Sequence, residues 1–163
     1  MAVEMFLKLD GIAGGSRNYH HKGWADMISW QWAVQGASAL SADALPRMNE
    51  LTLTKALGME SPTLMSLCAQ GKRVASAEIH VVPVVSKRDA QQKYLALTLE
   101  DLRITSIETG GGLDNNVFVE TLTLEFRRVR FEFNQYAASG PDDGAQQVES
   151  YSFGWDVVAN QAW

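Results

Sequence analysis

VFVETLTLEFRRVRFEF, residues 117–133, alternates apolar and polar side chains along its length, but not in one phase. Leu122, Leu124 and Phe126 share one parity, whereas Val129, Phe131 and Phe133 share the other. Successive side chains of a strand point to opposite faces, so a strand buried on one face only cannot change parity without an extra residue. The spacing therefore predicts a long strand with a β-bulge near Arg127 or Arg128, or a strand that passes from one sheet to another.

Working outward, period-two alternation recurs along most of the chain. Val3, Met5, Leu7 and Leu9 share a face in one predicted strand, Leu51 and Leu53 in another, and Leu95, Leu97 and Leu99 in a third. Ala75–Val85 reads as a strand whose Pro83 marks an edge or a bulge. GPDDG, residues 140–144, reads as a hairpin turn into a last strand over 150–158. The exception is SPTLMSLCAQGK, residues 61–72. Ser61 suits an N-cap, Pro62 the first helical position and Gly71 the position just past the end, with Lys72 and Arg73 placed to complement the helix dipole. Leu64, Leu67 and Cys68 fall at i, i+3 and i+4, the apolar stripe of one short helix. The sum is mainly β: about eight antiparallel strands and one short α-helix, one domain over residues 1–163. A small barrel or a sandwich, with the helix plugging or covering one side, fits that pattern.

Residues 25–35 form a further predicted strand, and ISWQWAV at 28–34 sets out its two faces. Ile28, Trp30, Trp32 and Val34 fall on one, and Ser29, Gln31 and Ala33 on the other. The bulky set, Trp30 and Trp32 above all, is expected in the core. The small polar set is left for whatever the outer face looks at.

Composition narrows the function. A formal net charge of -5 and a pI near 5.1 argue against phosphate-backbone binding, which needs a basic stripe. Arg127, Arg128 and Arg130 are interleaved with strand residues and neighbour Glu125 and Glu132. Cys68 is the single cysteine, so neither an intrachain disulfide nor a cysteine zinc site can form. The opening MAVEMFLKLDG has no basic n-region and no long apolar run, so no secretory signal is expected. No window reaches the roughly 20 apolar residues of a spanning helix, so membrane insertion is not expected.

Candidate chemistry is sparse. Adjacent His20 and His21, without a third ligand at zinc spacing, read as solvated loop residues. His80 lies opposite Ile79 and Val81 on its strand and reads as a surface or interface residue. The glycine-rich GIAGGS and TGGG lack the Gly-Lys-Ser/Thr ending of a phosphate loop and read as turns or close backbone approaches. Pairs such as Glu100 with Asp101, and Asp142 with Asp143, sit at a strand end or in a turn with no apolar pocket to raise a pKa. No catalytic residue, metal site or cofactor is expected.

Several stretches together resemble the Hcp family, the tube protein of the bacterial type VI secretion system. They are MAVEMFLKLDGIAGGS at the start, the SWQW pair of tryptophans, and the helix SPTLMSLCAQGK straight after the strand LTLTKAL. ITSIETGGG followed by VETLTLEF, and the terminal YSFGWDVVAN, complete the set. The similarity runs over nearly the whole chain. It implies a small β-barrel flanked by one helix, similar to phage tail tube proteins, assembling as a homo-hexameric ring. Such rings stack into a hollow tube inside a contractile sheath, capped by a spike protein, whose lumen holds effector proteins. The resemblance implies residence in the bacterial cytoplasm before firing and secretion without a cleaved signal peptide. No C-terminal effector extension is expected.

On this reading Ser29, Gln31, Ala33 and Gln35 line the lumen, with Gln31 the first choice for a cargo contact because its amide both donates and accepts. Leu40, Leu45, Pro46 and Met48, in the loop after the second long strand, become candidates for ring stacking. Trp30, Trp32, Leu64, Leu67 and Cys68 belong to the core. Two other classes compete with it. A monomeric β-barrel module could bind a small ligand in a pocket, and a small hydrolase could be built on Cys68 or His80.

Overall fold

The computed structural model describes residues 2–84, 93–113, 118–136 and 147–163. The elements run β1 (Val3–Leu9), β2 (Ala25–Gln31), β3 (Val34–Gln35), β4 (Arg47–Met48), β5 (Leu51–Ala56) and α1 (Ser61–Gln70). They continue as β6 (Arg73–Pro83), β7 (Leu95–Gly111), β8 (Phe118–Tyr136), β9 (Gln147–Asp156) and β10 (Gln161–Ala162). Eight strands form one sheet in the order β10-β9-β8-β5-β2-β1-β6-β7, and β7 returns to pair with β8. That last pairing closes six strands, β8-β5-β2-β1-β6-β7, into an antiparallel barrel, from which β9 and β10 extend. Strands β3 and β4 make a separate small hairpin. The expected turn at 140–144 and the pair Asp142 and Asp143 lie outside the described residues.

The inward positions carry the alternation seen in the sequence. Leu51, Ile79, Leu97, Leu99, Leu102, Leu122, Leu124 and Val129 are fully buried, and α1 adds Leu64. Burying each such side chain contributes roughly 1.5–3 kcal/mol.

The parity break anticipated near Arg127 lies there, and two neighbouring strands share it. Buried positions step from Phe126 to Val129 in β8, from Leu99 to Leu102 in β7 and from Val74 to Ala77 in β6. The pairing stays in register through this row, from Ser76–Glu100–Arg128 to Val74–Leu102–Phe126. Each strand carries one extra residue there, so the sheet is creased as a unit. Asp101, in the crease, has φ 51, a left-handed conformation that Asp tolerates better than most residues. At the same level β8 changes partner, leaving β5 after Leu124 and taking up β9 from Arg128.

In β2 the structure departs from a single alternating run. The pairing with β5 shifts between Met27 and Ser29, so Ile28 is the extra residue of a bulge. Ala25 and Met27 are buried before it, and Trp30 and Trp32 pack against the core after it. Ile28 is consequently 47% exposed, and Val34, beyond the end of β2 in β3, is 48% exposed. Neither joins the core.

Helix α1 spans Ser61–Gln70, with Pro62 in its first turn and Gly71 left-handed at φ 61 closing it through N–H bonds from Gly71 and Lys72 to the Cys68 and Leu67 carbonyls. Its N-cap is Glu60 rather than Ser61. The Glu60 carboxylate is turned away toward Lys55, and Ser61 Oγ instead accepts the Gly58 N–H at 3.0 Å. The helix packs on β7, with Leu64 buried and Leu67 and Cys68 half-buried.

Candidate functional site

The outward face of β2, β5, β8 and β7 is built from short neutral polar side chains. Pairing aligns Gln31 with Thr52, Thr52 with Thr123 and Thr123 with Ser106. A second row aligns Ser29, Thr54 and Thr121, ending at Glu108 on β7. Thr54 and Thr121 hydroxyls approach to 3.4 Å across the strands. Thr alternating with Leu in LTLT and TLTL produces this face directly. One residue type points in, the other out, and the β-branched Thr favours strand in both places. At one end, the exposed Arg103–Glu125 pair at 2.6 Å marks the return of charge. Apart from the exposed Glu108 at its β7 end, the face is a wide, hydroxyl-rich surface that can hydrogen-bond in either sense without imposing a charge.

The four residues expected on this face do not stay together. Ser29 and Gln31 lie on it, exposed. Ala33 sits after the end of β2, its carbonyl accepting the Asn49 N–H, and Gln35 pairs with Arg47 in the β3–β4 hairpin. The loop between β3 and β4 holds Leu40, 99% exposed, and Leu45, 66% exposed, with Pro46 partly covered. Met48 turns inward and packs against the core. Trp32 is tied down by its indole N–H to the Asn49 carbonyl at 2.9 Å, and Trp30 and Trp32 meet Phe131, Phe126 and Phe153.

Two buried polar groups escaped the sequence reading. Lys55 follows Leu51 and Leu53 on the inward parity of β5, and its Cα partner is Glu120, on the inward parity of β8. The Lys55 ammonium donates to Glu120 Oε2, to Glu60 Oε1 and to the Ala56 carbonyl, each at 2.7 Å, and the three side chains are essentially inaccessible. Glu60 Oε2 and Glu120 Oε1 find no protein partner. A Cβ at Gly58 would stand 2.5 Å from the Glu60 carboxylate, so glycine is what lets Glu60 reach inward. Opposite charges at facing inward positions were the available signal.

The histidines are the second correction. His21 and His80, expected in solvent or at the surface, are 2% and 5% exposed. His21 Nε2 and His80 Nδ1 share a hydrogen bond of 2.9 Å. His80 is on the outer side of β6, beside Phe6 of β1 and Ala96 of β7, and the loop from Gly11 to Trp24 folds back over it. Burial pushes the His21 imidazole down to about 4, helped by His20 and Lys93. Burial, then Lys93, His21 and Lys8, push His80 down to about 3. Among the described residues no three His, Cys, Asp or Glu side chains gather as metal ligands, and no helix is long and apolar enough to cross a membrane.

Comparison with known proteins converges on one group. The family described as "Type VI secretion system effector, Hcp" matches residues 6–133. The protein Hcp1 of Pseudomonas aeruginosa is 26% identical over 165 residues, covering 98% of each chain. The crystal structure of Hcp1 from Salmonella typhimurium superposes with a TM-score of 0.80 at 26% identity, over the full length of both chains. A structure described as a type six secretion system protein gives 0.85 at 18% identity, covering 99% of this chain and 100% of that one, which speaks for the fold alone.

Proposed function

The chain belongs to the Hcp family of secreted type VI secretion proteins, and from that premise we propose that it is a tube subunit whose β2–β5–β8–β7 outer face lines the channel of a closed hexameric ring. The observation that carries the reading is the neutral hydroxyl face itself, running without a break across Gln31, Thr52, Thr123 and Ser106. A channel that must hold effector proteins and then release them is best lined by groups that bond weakly and in both senses. Fixed charges of one sign would select against half of all cargo and hold the other half. Ser29 and Gln31 are the cargo contacts on β2, and Ala33 and Gln35 mark the channel rim.

A ring of identical subunits uses a heterologous interface that closes by rotation. The exposed Leu40 and Leu45, at the tip of the β3–β4 connection, supply the contact between successive rings, with Pro46 and Met48 setting the base of that loop. The sheath, the spike and the effectors are its partners, and its role is structural rather than catalytic. The protein waits in the bacterial cytoplasm before it is secreted. A ligand-binding barrel is the weaker reading, because the interior gap between Leu7, Leu9, Ala25, Glu60 and Leu64 is about 10 Å³, room for roughly one water, and the cleft of about 780 Å³ beside Arg47, Glu50, Arg103 and Glu125 is an open groove lined mainly by charged and polar side chains.

Light scattering coupled to size exclusion, followed by negative-stain imaging, tests the proposal. A six-fold mass with annular particles supports it. Thr54→Glu should then keep the mass while reducing retention of effectors. A monomer at high concentration overturns it.

A further inference from the structure

The Gly11–Trp24 connection is tied to the barrel at one point of unusual chemistry. Its own backbone is folded tightly, with Gly14 donating to the Gly23 carbonyl at 2.7 Å and Ser16 to the Trp24 carbonyl at 2.8 Å. Gly14 lies so close to the Trp24 backbone that a Cβ there would collide with it. Ile12, at the start of the loop, packs against the core, and the later part of the loop rests on the outer side of β1 and β6 through His21. Its ring stacks on Phe6 at 4.2 Å between centroids and meets His80 edge-on, and Trp24 lies over His80 at 4.5 Å.

A hydrogen bond between two imidazoles needs an acceptor nitrogen, and an imidazolium has none. One added proton can be shared between His21 Nε2 and His80 Nδ1, but a second turns both nitrogens into donors at 2.9 Å. The surroundings are mixed in charge, and the outer nitrogen of His21, Nδ1, faces the Asn18 side-chain oxygen at 3.4 Å. Lys8 of β1 stands 5.7 Å from the Trp24 ring, and His20 of the loop and Lys93 ahead of β7 add positive charge. On the other side, Glu78 of β6 reaches His80 Nε2 at 3.4 Å, and Glu4 of β1 accepts the Asn18 amide at 3.2 Å. β7 contributes the apolar Ala96 opposite His80.

We propose that the His21–His80 contact is an acid-operated latch: neutral, it holds the Gly11–Trp24 loop on the outer β1–β6 face, and charging of the two rings releases that loop while the barrel stays closed. The barrel is independent of the latch because its inward-facing core, from Leu7 through Ile79 to Leu97, lies on the other side of the same strands. Once released, the imidazoles regain their ordinary proton affinity, so each pH unit below about 6.5 favours the open loop by up to about tenfold per ring. Phe6 and Trp24 then become accessible, and the outer surface of the protein changes from a covered to an aromatic one in acid.

Amide hydrogen exchange on the full-length protein, corrected for the pH dependence of intrinsic exchange, reads both parts at once. Between about pH 7 and about pH 5, where ordinary carboxylates remain charged, protection of the Gly14, Ser16 and Trp24 amides should fall about tenfold or more. Protection in β6 and β7 should hold. His80→Gln, which keeps a hydrogen-bonding side chain but cannot be charged, should remove one ring's share of the pH dependence, and His21→Gln should do the same if the first variant fails to fold; with both replaced the dependence should vanish. Protection in β6 and β7 at neutral pH reports whether each variant has folded. The latch is overturned if the loop keeps its protection at about pH 5, if loop and barrel lose it together, or if the folded Gln variants respond to acid as the parent does.

Discussion

Lys55→Met removes one ammonium from the end of the barrel and keeps nearly the same volume. In the parent all three of its N–H bonds are used, to Glu60, Glu120 and the Ala56 carbonyl at 2.7 Å each. Without it, Glu60 at 5% exposure and Glu120 at 0% remain as two carboxylates with no cation, and each already has one oxygen without a protein partner. Removing one partner of a buried ion pair costs about 3–5 kcal/mol. At a slope of roughly 2 kcal/mol per molar urea, the unfolding midpoint should fall by about 2 M. The assay is equilibrium urea denaturation followed by circular dichroism, at one fixed protein concentration because any assembly would add to apparent stability. The informative companion is Lys55→Met with Glu60→Met and Glu120→Leu. With no charge left to strand, the triple variant should recover to within about 1 kcal/mol of the parent. A loss below about 1 kcal/mol in the single variant, or a triple variant as unstable as the single, would refute the assignment of the triad as a buried charge cluster.

Leu64→Ala should cost about 2–5 kcal/mol, because the side chain is fully buried between α1 and the barrel, whereas the 38%-exposed Met65 replaced by Ala should cost under about 1 kcal/mol; thermal melts compare the two. Gly154→Ala should lower the melting temperature and release Trp163, since a Cβ at 154 would run into the Trp163 carbonyl and break the placement of its ring 4.5 Å from Arg130; the loss reads as a change in tryptophan emission. The Asp156 carboxyl is held below its usual range by the Ala159 N–H and the Arg128 guanidinium. Its contribution is therefore complete above about pH 4 and disappears as pH falls through its depressed folded value. Melting temperatures of the parent should drop more between about pH 5 and about pH 2.5 than those of Asp156→Asn.

Much of the fold was legible because alternation is local. Leu51 and Leu53, Leu95 to Leu99, and Leu122 to Phe126 announce their strands without reference to any neighbour, and Pro62 and Gly71 punctuate the helix at both ends. Ser29 and Gln31 were legible on the same grounds. Their partners Thr52, Thr54, Thr121 and Thr123 show the same period, but that they complete one surface depends on β5 lying between β2 and β8, which no local pattern states. Ile28 misled because a bulge residue that is itself apolar continues the visible alternation of Trp30 and Trp32. The adjacent Met27 and Ile28 were the trace of the phase change. His21 was hidden for a different reason. It is buried by a loop that folds back without any period, and only the pairing of His80 with Phe6 brings the three rings together.

The crease across β6, β7 and β8 has a consequence for how this protein tolerates insertions and deletions. Ala75, Asp101 and Arg127 lie in one row, between rows whose pairing is continuous on both sides. Deleting Asp101 alone would leave Leu95, Leu97 and Leu99 out of step with both neighbouring strands, and every side chain beyond would face the wrong way. Deleting all three residues together leaves both ladders intact and joins Leu99 to Leu102, and Phe126 to Val129, as ordinary same-face neighbours. Chain length in this wall is thus a collective variable. It changes by whole rows or not at all, and a library of single-codon deletions should be depleted here while the matched triple survives.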